Sequence, residues 1–187
     1  MSLLWVSRLI WFALFGAITL FGLIEARLTI IFVLSSLVLG AALIALSWID
    51  SEKQRLPNVV TYPLIAAGLL QAALFDLVSI QSSVIGAIIG YGVFWFIGEF
   101  YMKLRGRDGL GLGDAKLLAA AGAWTGAMTL PLVIFIGSVL TIPFALFDRA
   151  EAFSKKIASF GPWLGIGLWF VWIVAYGVGG LPLHLTL

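Results

Sequence analysis

G-R-D-G-L-G-L-G-D-A-K-L-L-A-A-A-G-A-W, residues 106–124, is where the architecture of this chain can be read first. It begins as a basic, glycine-dense loop, reaches Asp114, and runs on into an apolar segment without a break. A carboxylate at the mouth of a membrane helix is costly to keep, so its default reading is functional. A helix starting near Asp114 would use that side chain as its cap, and the glycines before it let the backbone approach closely. One carboxylate does little chemistry alone, so a partner is expected elsewhere in the chain.

Composition supports a membrane setting. Of 187 residues, 62% are hydrophobic and 11% charged, and the mean hydropathy is +1.12. Soluble domains carry about 25% charged residues, so the chain reads as an all-α polytopic membrane protein. No polar stretch is long enough for a second domain, and residues 1–187 are expected to form one membrane-embedded unit. The chain has no cysteine, which excludes disulfides, thiolate catalysis and cysteine zinc sites. Its single histidine, His184, lies near the C-terminus, so no metal site is expected.

Seven apolar runs follow in order. The first, about Leu3–Ile24, is interrupted only by Arg8 and reads as a retained helix, because a cleavable signal peptide has a basic start and a shorter core. The second, about Leu28–Ile49, ends on Asp50. The charged loop D-S-E-K-Q-R-L-P-N leads to a third run, about Val59–Val78, and a fourth covers about Ser82–Met102. The fifth, Ala115–Met128, has only 14 residues, or ~21 Å of helix against a ~30 Å hydrocarbon core. Thr129-Leu130-Pro131 then predicts a turn into a sixth run ending near Phe147. A single kinked helix through Pro131 would be about 33 residues and ~50 Å long, which argues for the turn. The seventh run is about Phe160–Gly179, so a core of about residues 28–179 follows the first helix.

With the N-terminus in the cytoplasm, the inner side holds Arg8, Lys53, Arg55, Lys103, Arg105, Arg107, Lys116, Arg149, Lys155 and Lys156, and the outer side only Arg27. This orientation puts Asp50 and Asp114 on the cytoplasmic side, closing the second helix and opening the fifth. Brought together, two carboxylates share a proton, one member activating water while the other polarises a carbonyl. That is aspartic proteolysis, which needs neither metal nor thiol. Two rivals stand beside it: solvated helix-end aspartates, and an ion-coupled carrier or channel using both as a proton relay. The shortness of the fifth run favours a buried Asp114, since non-helical backbone at depth must line protein or a water-filled cavity.

Phosphate motifs do not fit. A P-loop needs Gly-Lys-Ser/Thr, whereas Gly113 is followed by Asp114, Ala115 and Lys116. A Rossmann fingerprint needs a third glycine where Lys116 stands, and a preceding strand. Glu99–Lys103 and Glu151–Lys155 are spaced for surface ion pairs, Asp76 falls on the outer side, and the tryptophans, among them Trp5, Trp48, Trp163 and Trp172, read mostly as lipid or interface residues.

Three blocks resemble one family. I-D-S-E-K-Q-R-L-P-N-V-V-T-Y-P-L at 49–64, G-L-G-L-G-D-A-K-L-L-A-A-A-G-A-W at 109–124 and F-G-P-W-L at 160–164 are similar to the type IV prepilin peptidases, membrane aspartic proteases of the GxGD kind. The resemblance implies cleavage of the basic leader of prepilins or pseudopilins at the cytoplasmic face of the plasma membrane. Its matching positions make Asp50 and Asp114 catalytic, with Gly111, Gly113, Lys116, Pro57 and Asn58 as supports. No cofactor is implied, and the partners are the prepilin substrate and the lipid bilayer, with no nucleic acid. Full-length members add an N-terminal helix and a cysteine-bearing region associated with N-methylation. This chain starts one helix later, like the short members that serve tight-adherence or archaeal pilus-like systems, so peptidase activity without methyl transfer is expected. Glu52 and Asp108, acids beside the pair, are the candidates to meet the charge of a basic leader.

Overall fold

The computed structural model describes residues 9–17, 19, 30–53, 55–75, 77–105, 111–148 and 160–177, and these are helices and short connections. A helix over 9–17 (α1) lies inside the first predicted run. It is followed by α2 (Ile30–Lys53), α3 (Asn58–Phe75), α4 (Ile80–Arg105), α5 (Leu112–Thr125), α6 (Leu130–Asp148) and α7 (Gly161–Trp172). Among the described residues α2, α3 and α4 are long and apolar enough to cross a membrane, and shorter apolar stretches cover Ala127–Pro143 and Gly161–Tyr176. Asp76, Trp5 and the Glu151–Lys155 pair lie outside the described residues.

The fifth helix is the axis of the fold. It packs most extensively on α4 and also meets α3, α7 and α6, and it is buried without interruption from Leu117 to Thr125. Its small side chains explain that position. With little hydrophobic drive between helices in lipid, close backbone packing at small residues holds a bundle together. Gly86 and Gly90 of α4 form a small-xxx-small pair facing Gly122 and Leu118 of α5. A β-carbon on Gly122 would fall on the Gly86 carbonyl, and one on Gly90 on the Leu118 carbonyl.

The turn after α5 is a second close fit. Gly126 has φ +82°, a left-handed conformation that side-chain-bearing residues rarely adopt. Its N–H donates to the Gly122 carbonyl at 2.8 Å, and Ser82 Oγ accepts from the Ala127 N–H at 3.2 Å. A short 3₁₀ turn, Ala127–Thr129, then hands the chain to α6. Pro131 falls in the first turn of α6, where its missing N–H costs nothing. A break is present, but it lies earlier than the predicted Thr129-Leu130-Pro131 turn: it starts at Gly126, and Leu130 and Pro131 already belong to α6.

Two expectations need correction. Helix α5 begins at Leu112 with Gly111 as its cap residue and no side-chain cap, so Asp114 stands inside the first turn. Likewise α2 continues past Asp50 to Lys53, because Ser51, Glu52 and Lys53 tolerate helix until the chain approaches Pro57, whose preceding residue disfavours it. The tryptophans also depart from the lipid-belt reading. Trp48 and Trp95 are exposed, but Trp11, Trp124, Trp163, Trp169 and Trp172 are buried. Internal acceptors hold four of these indoles. Trp11 Nε1 donates to the Pro162 carbonyl at 2.8 Å, Trp124 to the Leu64 carbonyl at 2.8 Å, Trp169 to Thr19 Oγ1 at 3.1 Å and Trp172 to Ser36 Oγ at 2.8 Å. Trp124→Phe is expected to cost about 1–3 kcal/mol, the loss of a buried hydrogen bond, read as a lower unfolding temperature in detergent.

Candidate active site

The site forms where the ends of three helices meet. Asp50, in the last turns of α2, is buried at 6% exposure. Its carboxylate lies against the N-terminus of α7, where Gly161 leaves room for it: a β-carbon there would stand 2.5 Å from Asp50 Oδ2. Asp114, in the first turn of α5, is half-buried. Leu56 links the two positions, touching both Gly161, against which Asp50 lies, and Gly113, the neighbour of Asp114, so the two aspartates border one corner from opposite kinds of helix end. Gly111 stands just before, with its β-position 3.6 Å from Asp114 Oδ2, and the Asp114 N–H donates to the Gly111 carbonyl at 3.0 Å.

The connection between α2 and α3 closes over this corner. Pro57 stands just before α3, its carbonyl accepting from the Val60 and Thr61 N–H groups, both at 3.1 Å, and from Thr61 Oγ1 at 3.3 Å. Next to it Asn58 Oδ1 accepts a hydrogen bond from Lys116 Nζ at 2.6 Å, and the same ammonium sits 5.3 Å from the centre of the Tyr62 ring. Lys116 thus ties the start of α5 to the start of α3. Glu52 is exposed in the last turn of α2, two residues beyond Asp50. Asp108 lies outside the described residues. The Glu99–Lys103 pair forms on the exposed face of α4 at 3.4 Å.

Two residues of this corner received no role from the sequence. Leu56 is 8% exposed although it belongs to a connection, and it is wedged between Gly113 and Gly161. A β-carbon on Gly113 would stand 3.1 Å from Leu56 Cβ, and one on Gly161 3.5 Å from Leu56 Cδ1. The available signals were a leucine before proline in an otherwise charged loop, and a glycine before proline at a helix start.

Comparisons with known proteins give the chain a family. Residues 37–146, more than half of the chain, match the type IV leader peptidase family. The chain belongs to that family. It is similar to proteins named prepilin leader peptidase/N-methyltransferase: one from Dichelobacter nodosus, 41% identical over 78% of this chain and 50% of the relative; one from Neisseria gonorrhoeae, 39% identical over 74% and 48%; and one from Escherichia coli K12, 40% identical over 66% and 56%. The chain spans about half the length of the curated relatives it matches. No solved structure matches it significantly. The family's matched span contains both aspartates, Leu56, and the Lys116–Asn58 contact.

Proposed function

We propose that the chain is an aspartic endopeptidase of the membrane that removes the basic leader of type IV prepilin or pseudopilin-like substrates at the cytoplasmic face. The observation that carries this reading is the placement of Asp50 and Asp114 at the corner that Leu56, Gly113 and Gly161 share, within a family named for leader peptidases. In the proposed reaction one carboxylate is ionised and takes a proton from water, whose oxygen attacks the scissile carbonyl carbon. The other carboxyl donates its proton toward the carbonyl oxygen. Collapse of the tetrahedral intermediate breaks the C–N bond, and the amine leaves with a proton returned by the pair. Gly111 and Gly113 keep the backbone beside Asp114 slim, while Pro57, Asn58 and Lys116 hold the α2–α3 connection in place. The single membrane-embedded unit and the cytoplasmic orientation belong to the same proposal and rest on the charge distribution.

Co-expression with a type IV prepilin tests the reading: a shortened product with a new N-terminus is expected, and an intact prepilin overturns it. Mass analysis of that N-terminus reads N-methylation separately, and an unmethylated end is expected. Glu52→Gln should raise KM several-fold for a basic leader and leave kcat unchanged, as expected for loss of binding alone. An unaltered KM removes Glu52 from leader recognition.

A further inference from the structure

We propose that Leu56 is a displaceable plug: it fills the space beside the carboxylate pair that an apolar side chain of an extended substrate segment occupies during cleavage. This rests on the peptidase reading above. Three features carry it. First, Leu56 sits in a short connection whose neighbours Lys53 and Arg55 are charged, yet it is turned inward and buried. Second, the space it fills lies between two positions without β-carbons, Gly113 on α5 and Gly161 on α7. A gap walled by glycine backbone admits a peptide main chain at close range. Third, the β-position of Gly161 is shared by Leu56 Cδ1 at 3.5 Å and Asp50 Oδ2 at 2.5 Å, so leucine and carboxylate stand side by side. A substrate carbonyl delivered to Asp50 from that side meets Leu56 first.

The connection is anchored at one end. Pro57 and Asn58 are fixed by the first hydrogen bonds of α3 and by Lys116, so outward movement of Leu56 leaves the start of α3 in place. With Leu56 in this position Asp50 is buried, at 6% exposure. Binding then carries a penalty equal to the scarcity of the open form, and any change that makes the open form common lowers the apparent dissociation constant by the same factor. Replacing the leucine methyls with a smaller side chain is such a change.

The chain has no cysteine, which makes a single thiol at position 56 a clean reporter. In Leu56→Cys combined with Asp114→Asn, a water-soluble maleimide should label the thiol slowly in detergent-solubilised protein. Addition of intact purified prepilin should speed labelling about tenfold. Val59→Cys, at a position 84% exposed, should label fast with or without prepilin. In the active background, Leu56→Ala should raise kcat/KM for the same prepilin about tenfold, chiefly through KM. A labelling rate at position 56 that prepilin leaves unchanged or slows overturns the plug, whatever Leu56→Ala does to turnover. If the parent protein leaves prepilin intact while prepilin still exposes the thiol, the peptidase reading fails, and with it the cleavage role of the plug, while the displacement of Leu56 by prepilin stands.

Discussion

Asp50→Asn and Asp114→Asn should each lower kcat/KM for prepilin cleavage by about 10³-fold or more, the range expected when a positioned acid or base is removed. Asparagine keeps the shape of aspartate but neither takes a proton from water nor returns one to the leaving amine. Each carboxyl plays both parts over one cycle, so neither variant is rescued by the other group. A buried carboxyl beside a second one carries the cost of desolvation and of a neighbour that ionises poorly next to it, and asparagine removes that cost, so both variants should unfold at the parent temperature or above it. That combination, lost turnover with retained stability, separates a reacting pair from two structural carboxylates. Turnover within tenfold of the parent in either variant would sink the dyad, and an ion-coupled role for the same residues would then be the reading to test.

The second large effect lies where α4 and α5 touch. Gly122→Ala sets a methyl on the Gly86 carbonyl, and Gly86→Ala sets one 2.6 Å from the Gly122 carbonyl oxygen. Backbone has no alternative rotamer, so the helices must separate, at about 1–3 kcal/mol or more for an overpacked contact. Since α5 carries Asp114, separation should also reduce turnover. Gly92→Ala is the control on the same helix: nothing lies within 4 Å of its β-position, and alanine is favoured over glycine in a helix by up to about 1 kcal/mol. Thermal unfolding in detergent should rank Gly92→Ala at or above the parent and both contact variants well below it. Equal unfolding temperatures for all three would mean that the glycine contact does not hold the bundle together.

Much of this protein was legible without coordinates, for a reason specific to membranes. Where no water is available to the backbone, each span must satisfy its own hydrogen bonds, so a long apolar run is a helix. That logic located α2, α3, α4 and the unusually short α5, and it required a break before α6 although it set that break a few residues too late. The two aspartates were equally legible, because charge at the edge of an apolar run is rare enough to stand out. The helix ends were less so. Asp114 was expected to cap α5, yet glycine at 111 takes the cap position, where backbone geometry alone suffices.

The tertiary structure alone decided which faces meet. Helices that are apolar all round carry no amphipathic stripe to say which side is inward. For that reason the burial of Trp124 and Trp172 contradicts the lipid-belt rule: each indole found an internal acceptor on another helix. The same holds for Gly86 opposite Gly122, and for Gly161 beside Asp50, pairs distant in sequence whose only shared property is a missing β-carbon. Leu56 shows the limit most clearly. In sequence it is one apolar residue in a charged loop, and only the approach of α5 and α7 makes the space that it fills.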